Sequence, residues 1–283
     1  MENLVKAFIQ YLRDEKKLSP NTLMSYQRDI EQYIMFLQEM NVQNIQQSTK
    51  TTIANYMKYQ NSQGRALTTI SRSLASIRAF YRFLISHDFI QGNPTIGVES
   101  PKVEKKIPQI LSVEEVEILL NQPKKMGFKG IRDRAMLELL YATGIRVSEL
   151  ISLDLSDLDL QQCTLRCRNS NRERVIPVSK KCIDVVREYI ENVRPFMLKD
   201  KSEQALFVNT NGKRLTRQGF WKIVKYYTSK ANINKDITPH TLRHSFAAHL
   251  LQKGRNLKDI QMILGHSDIS STQVYLQIVS GNG

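Results

Sequence analysis

Between His87 and Ile110 the sequence loses every regular spacing of apolar residues, and that gap limits what the chain can fold into. Asn93-Pro94, Pro101 and Pro108 interrupt the backbone there. Proline removes an amide donor and pushes the residue before it out of helical geometry. Lys102, Lys105 and Lys106 crowd between these prolines. One continuous core cannot run through such a stretch. The expected organisation is a first domain over 1–88, an interdomain linker over 89–110 and a second domain over 111–283.

The first domain carries helical periodicity throughout. Leu4, Phe8, Ile9 and Leu12 predict a helix over 1–12, and Leu18-Ser19-Pro20-Asn21-Thr22 reads as a turn and cap. Tyr26, Ile30, Tyr33, Ile34 and Leu37 predict a helix over 22–39. A third covers about 49–60. A fourth runs from 66 to 86, with Ile70, Leu74, Ile77, Tyr81 and Leu84 on one side. Four short helices without a strand pattern make a small bundle. Arg65, Arg72, Arg78 and Arg82 belong to it. They read equally well as a solvated face or as contacts to a polyanion backbone.

The second domain mixes the two periods. Ser112 and Glu115 form a capping box ahead of Val116, Leu119 and Leu120, and a helix follows over 130–142. Thr143-Gly144-Ile145-Arg146 is a tight turn able to aim Arg146 into a cleft, with Glu149 three residues on to orient it. Residues 158–178 predict two or three short strands, with a turn near Asn169-Ser170-Asn171. Arg166, Arg168, Arg172 and Arg174 would make this an exposed basic hairpin. Helices are expected over 180–193 and 215–228, with a short extended piece at 205–208 between them. The later helix should part-bury Phe220, Trp221, Val224 and Tyr227, leaving Arg217, Lys222 and Lys225 for phosphates.

Charge narrows the partner. The net charge is +14, and residues beyond 100 supply 30 basic against 19 acidic side chains. A positive field of that size points to a polyanion, nucleic acid first. Cys163, Cys167 and Cys182 have no pattern of a disulfide scaffold or a metal site. No signal peptide and no apolar run near the length of a membrane span is visible, so no membrane partner and a cytoplasmic location are expected.

The last 46 residues concentrate the chemistry. Thr238 caps a helix whose first turn takes Pro239, and His240 and Arg243 share one face of it. Asn256 starts a second helix that stops at Gly265, and His266 follows at the bend. Tyr275 lies nine residues further on. One cation to neutralise a phosphate, imidazoles to bond it and a phenol to attack it are the parts of a phosphoryl-transfer site.

In order and interval, ATGIRVSEL (142–150), RERVIPV (172–178), LTRQGFWKIVKYY (215–227), TPHTLRHSFAAHLL (238–251) and LGHSDISSTQVYLQI (264–278) resemble the tyrosine site-specific recombinases, most closely the bacterial Xer type. The resemblance covers essentially the whole chain. It implies a mainly α protein: an N-terminal four-helix core-binding domain, then an α+β catalytic domain with a small antiparallel sheet. It implies that Arg146 and Arg243 are the two catalytic arginines and that His240 pairs with the second. His266 precedes the nucleophile, Tyr275 is the nucleophile, and Glu149 supports the site. The implied reaction forms a 3′-phosphotyrosyl link, releases a 5′-hydroxyl and passes through a Holliday junction, with no metal or cofactor. The implied partner is double-stranded DNA with a short inverted-repeat site, bound by a homo- or heterotetramer across two sites in the nucleoid. Arg65, Arg72, Arg78, Lys105, Arg168, Arg172, Arg174, Arg217 and Lys222 are the expected phosphate contacts.

Two departures stand out. The family carries a lysine in the strand-to-strand turn that protonates the departing 5′-oxygen, and counting back from Pro177 puts Asn169 there. An amide is no proton donor, and arginine neighbours are poor acids. A slow or partner-activated enzyme, a shifted hairpin recruiting another cation, and a non-catalytic DNA-binding relative are the open readings. The chain also ends eight residues after Tyr275, where Xer-like proteins usually carry a further helix. Chromosome dimer resolution is the expected role, and a mobile-element integrase or resolvase is its neighbour.

Overall fold

The computed structural model describes residues 1–102, 107–125, 127–169 and 172–280. The chain forms two compact units, Met1–Lys105 and Lys106–Gly283. In the first, α1 (Glu2–Asp14), α2 (Pro20–Glu39), α3 (Lys50–Ser62) and α4 (Leu67–Ser86) follow the expected spans within a few residues. Ser19 accepts from the Thr22 amide to start α2, and Thr49 and Thr52 form a reciprocal cap on α3. Phe8, Ile30, Leu37, Ile53, Leu74, Ile77, Phe80 and Leu84 make the core. Two buried phenols sit inside it without an unmet hydroxyl. Tyr33 Oη lies 2.5 Å from Ser48 Oγ and 3.0 Å from Tyr81 Oη.

The stretch expected as linker does more than connect. Ile90 and Val98 are buried in the helical core. Arg78 donates to the Val98 carbonyl at 2.5 Å and to Ser100 Oγ at 2.9 Å. These contacts tie the segment back to α4, so the first unit extends past residue 88.

In the second unit, α5 (Val113–Asn121) begins with the predicted Ser112–Glu115 box. In α6 (Gly127–Thr143), Ala135, Met136, Leu137, Leu139 and Leu140 are fully buried. Every residue from 130 to 143 is buried or half-buried, which puts this helix at the centre of the core. Next come α7 (Val147–Ser152) and the antiparallel strands β1 (Leu158–Asp159), β2 (Thr164–Asn169) and β3 (Arg172–Pro177), in the order β1-β2-β3. Leu165 pairs with Ile176 and Cys167 with Arg174. Strand side chains alternate faces, so these four share the core side while Val175 points out, 59% exposed.

The chain continues through α8 (Lys180–Asn192), the single turn α9 (Arg194–Met197), α10 (Arg217–Lys230), α11 (Pro239–Gln252), α12 (Leu257–Leu264) and α13 (Ser270–Ser280). Residues 205–208 are extended but make only isolated bridges, Asp154 to Ala205 and Val208 to Arg214. On α10, Phe220, Val224 and Tyr227 are buried as expected. Trp221 is not: it is exposed, with the Lys225 ammonium over its ring at 5.3 Å. Among the described residues no helix is long and apolar enough to cross a membrane.

Gly144 ends α6 at φ +59°, and a Cβ there would lie 2.3 Å from Phe246 Cδ1 on α11. A side chain at this position meets both left-handed strain and a filled core. Gly144→Ala should lower the unfolding free energy by about 2–5 kcal/mol, the sum of those two costs. Denaturant titration of the native and variant chains checks this; a loss below about 0.5 kcal/mol would show that the turn adapts freely.

Candidate active site

The site is built where α12 stops. A helix leaves its last carbonyls without helical partners, and its C-terminus is the negative end of the dipole. Gly265, at φ +65°, turns the chain there in the left-handed conformation. Three guanidinium groups then meet three successive carbonyls. Arg174 Nε donates to Ile263 O at 2.9 Å, Arg243 Nη2 to Leu264 O at 2.8 Å, and Arg146 Nη2 to Gly265 O at 3.0 Å. They arrive from β3, from α11 and from the turn before α7.

Glu149 binds two of these arginines together. Arg174 donates to both of its carboxylate oxygens, at 2.8 and 2.9 Å, and the Arg146 backbone amide donates to Oε2 at 2.7 Å. Arg146 Nη1 lies 3.5 Å from Oε1. Burial pushes the Glu149 carboxyl up; the bonds from Arg174 and Arg146 and both their charges outweigh it and hold it below the ordinary range. Arg243 also donates to Gly144 O at 2.5 Å. Burial and the Arg146 charge bring the Arg243 guanidinium down to about 10, so it stays charged at neutral pH. Arg243 is 4% exposed, whereas the Arg146 side chain is 35% exposed. The second arginine is therefore a buried strut, and the first opens to solvent.

On α11, His240, Arg243 and His244 occupy positions i, i+3 and i+4 of one face. Burial first, then the charges of Arg217, Arg243 and Arg146, keeps His240 below its ordinary range. His266 Nδ1 lies 2.9 Å from Thr272 Oγ1, which turns Nε2 the other way. Burial, with Arg243 and Arg146, takes His266 down to about 4. Tyr275 on α13 is 1% exposed. Burial raises its phenol, and Arg243 opposes the rise. Its hydroxyl lies 2.9 Å from His244 Nδ1.

Arg146, Glu149, His240, Arg243, His266 and Tyr275 are thus brought to one end of the second unit. His244 belongs with them, though sequence reasoning passed over it; its signal was the i+4 step from His240. Thr272, fully buried behind His266, left no signal of its own.

The expected phosphate contacts divide. Arg65, Arg217 and Lys222 are exposed. Arg72 holds Asp29 at 2.5 Å with its side chain 47% exposed, and Arg168 lies 3.3 Å from Asp157. Arg78 is engaged by the segment after α4. Arg174 does not fit an exposed basic hairpin, because the pairing with Cys167 turns it inward onto Glu149. Lys105 lies outside the described residues. Asn169 and Arg172 pair at the open end of β2 and β3, and their side chains lie outside the description.

A helical domain followed by an α+β unit with arginines, histidines and a tyrosine at one helix end is the arrangement of a tyrosine-dependent DNA strand-transferase. Family models agree along the chain. The phage integrase family matches residues 109–280, and the phage integrase N-terminal SAM-like domain matches residues 5–88. Tyrosine recombinase XerD of Halalkalibacterium halodurans is 44% identical over 280 residues, covering 98% of this chain and 94% of that protein. Tyrosine recombinase XerD of Oceanobacillus iheyensis is 45% identical over 282 residues, with the same coverage. The fold is shared with XerH bound to its palindromic difH substrate: TM-score 0.78 at 17% identity, covering 99% of this chain and 92% of that one. The chain belongs to the phage integrase family of tyrosine recombinases and is of the Xer type.

Glu149→Gln should cost about 3–5 kcal/mol at pH 7, because it leaves Arg174 in the core with no carboxylate. The sign with pH follows from the lowered carboxyl. Its contribution is complete above the ordinary carboxylate range and is lost as pH falls through the folded-state value. Urea titrations from pH 7 to pH 3 should show the native chain converging on the variant at acid pH; parallel curves would remove Glu149 as the linking charge.

Proposed function

We propose that this chain cleaves and rejoins DNA at short inverted-repeat sites, through a 3′-phosphotyrosyl link on Tyr275, to resolve chromosome dimers. The observation that carries it is the convergence of Arg146 and Arg243 on one helix end, with Tyr275 held against the same α11 face. Similarity to XerD proteins over nearly the full length supports the chromosomal role. Recombinases of this fold have been seen on their DNA, XerH on difH and a lambda integrase dimer on a core site. Those assemblies support a partner of double-stranded DNA and more than one protomer on it.

Mechanistically, the phosphodiester's own negative charge repels a nucleophile. Arg146, the more exposed guanidinium, meets a non-bridging oxygen, and buried Arg243 fixes the field behind it. Charge grows on those oxygens in the five-coordinate transition state, so fixed cations stabilise it more than the ground state. His240 and His266, both held below their ordinary range, act as neutral hydrogen-bonding groups. The phosphotyrosyl bond conserves the energy of the phosphodiester, and a 5′-hydroxyl from another strand reverses the step without ATP. Because Tyr275 is buried in the isolated chain, the surface covering the phenol has to open for phosphorus to reach it. A neighbouring protomer on DNA or an activating protein supplies that opening.

Asn169 leaves the departing 5′-oxygen without the hairpin acid of the family. A nicked suicide substrate should form a covalent adduct with the native chain and none with Tyr275→Phe. Asn169→Lys should accelerate adduct formation on ordinary DNA by roughly 10²-fold, the lower end of general-acid effects. A substrate with sulfur at the scissile 5′ position needs no such proton, so the native chain should cleave it faster than ordinary DNA. Equal rates on both substrates would mean that another group already protonates the leaving oxygen.

A further inference from the structure

The Tyr275 hydroxyl has a partner that the phosphate chemistry above leaves idle. His244 Nδ1 lies 2.9 Å from Tyr275 Oη, and the two rings pack at 5.7 Å between centroids. Both residues belong to the second unit, His244 on α11 and Tyr275 on α13. We propose that His244 is a catalytic residue of strand cleavage, holding the Tyr275 phenol and taking its proton as the oxygen attacks. This rests on Tyr275 being the nucleophile.

The other two imidazoles are placed for different work. His266 has its Nδ1 on Thr272, and His240 sits in the field of Arg217, Arg243 and Arg146. Among the described residues, His244 is the imidazole within hydrogen-bond reach of the phenol. The groups facing it are His240 and Arg243 on its own helix, Tyr275 on α13, and His266 from the turn after α12. Burial, then His240 and Arg243, brings His244 down to about 4. At neutral pH it is therefore uncharged, and with its proton on Nε2 it presents Nδ1 as an acceptor. A DNA phosphate beside Arg146 and Arg243 offsets those cations and makes the ring a better base.

The step balances as follows. The phenolic O–H pair becomes the new O–P bond, and the proton moves to Nδ1, giving an imidazolium. The P–O5′ pair leaves with the 5′-oxygen, which takes a proton from solvent water. On rejoining, the 5′-hydroxyl attacks and returns its proton to solvent, the O–P pair returns to Tyr275, and the imidazolium gives its proton back to the phenolate.

The test measures single-turnover adduct formation on the 5′-sulfur suicide substrate, from pH 6 to pH 9, with DNA binding by gel shift on the same samples. The sulfur substrate removes leaving-group protonation from the rate. His244→Asn keeps an acceptor near Nδ1 but takes no proton; His244→Gln keeps volume and moves the polar atoms away from the phenol. Both should bind DNA and lose about 10²-fold in rate at pH 7, the scale of a general base. Their residual rates should climb about tenfold per pH unit, because the attacking species is then a tyrosinate with a pKa near 10 or above. The native rate should stay flat from pH 7 to pH 9. A native rate that climbs tenfold per unit overturns the proposal without recourse to a variant. So does His244→Asn at the native rate, where the ring only positions the phenol, or above it, where the ring restrains the phenol. Tyr275→Phe separates the two readings. An adduct that survives it sinks the nucleophile assignment, whereas its loss alongside native-like His244 variants sinks only the role of His244.

Discussion

Three guanidinium groups on three successive carbonyls at the end of α12 are the interaction on which the site depends. The carbonyls of Ile263, Leu264 and Gly265 have no helical donor to meet, and each is satisfied by an arginine from a different segment. Gathering three like charges is unfavourable unless something holds them. Glu149 offsets one, and the helix end offers partial negative charge for the others. Within this set the positive charges exceed the negative by two. That excess is the property a phosphodiester exploits, since its own charge rises on the way to the transition state.

The same helix end leads to the proposed nucleophile. From Gly265 the chain passes directly to His266 and then into α13 with Tyr275. Ala247, Ala248, Ile260, Leu264, Tyr275 and Ile278 form a small apolar cluster of their own, separate from the main core of the second unit. A satellite cluster opens at lower cost than a central one. The arginines come from segments that also pack in the main core, yet all three bond carbonyls at the end of α12, whose Ile260 and Leu264 belong to the satellite with the phenol. The end of α12 thereby couples the guanidinium groups to the cluster that holds the Tyr275 phenol.

Much of this was legible in the sequence. The four N-terminal helices, Gly265 as a helix stop and the short strands within 158–178 all followed from periodicity and punctuation. The His240–Arg243 face followed from i, i+3 spacing. Harder to read were features that depend on tertiary partners. Arg174 looked like one of four hairpin arginines, yet strand parity with Ile176 already put it on the core side; a buried arginine becomes credible only once Glu149 is seen opposite. Trp221 looked apolar enough to bury, but it lies one step off the face defined by Phe220, Val224 and Tyr227. Ile90 and Val98 were lost among prolines because their contacts are with a helix bundle, and a periodic pattern cannot report them. His244 was overshadowed by the arginine beside it, and its role is set by a residue on another helix.

The charge-stabilising and proton-handling halves of the chemistry are housed differently, and this explains how a chain can keep one while altering the other. Arg146, Arg174 and Arg243 are each bonded to core backbone, so a change at any of them disturbs folding as well as chemistry. Residue 169 pairs with Arg172 at the open end of the β2–β3 ladder. That position is not among the groups bonded in the carbonyl–arginine assembly. In the mechanism proposed above, asparagine there bears on the departure of the 5′-oxygen, while attack by the phenol, governed by Tyr275 and its neighbours on α11, is a separate proton transfer on the other side of phosphorus.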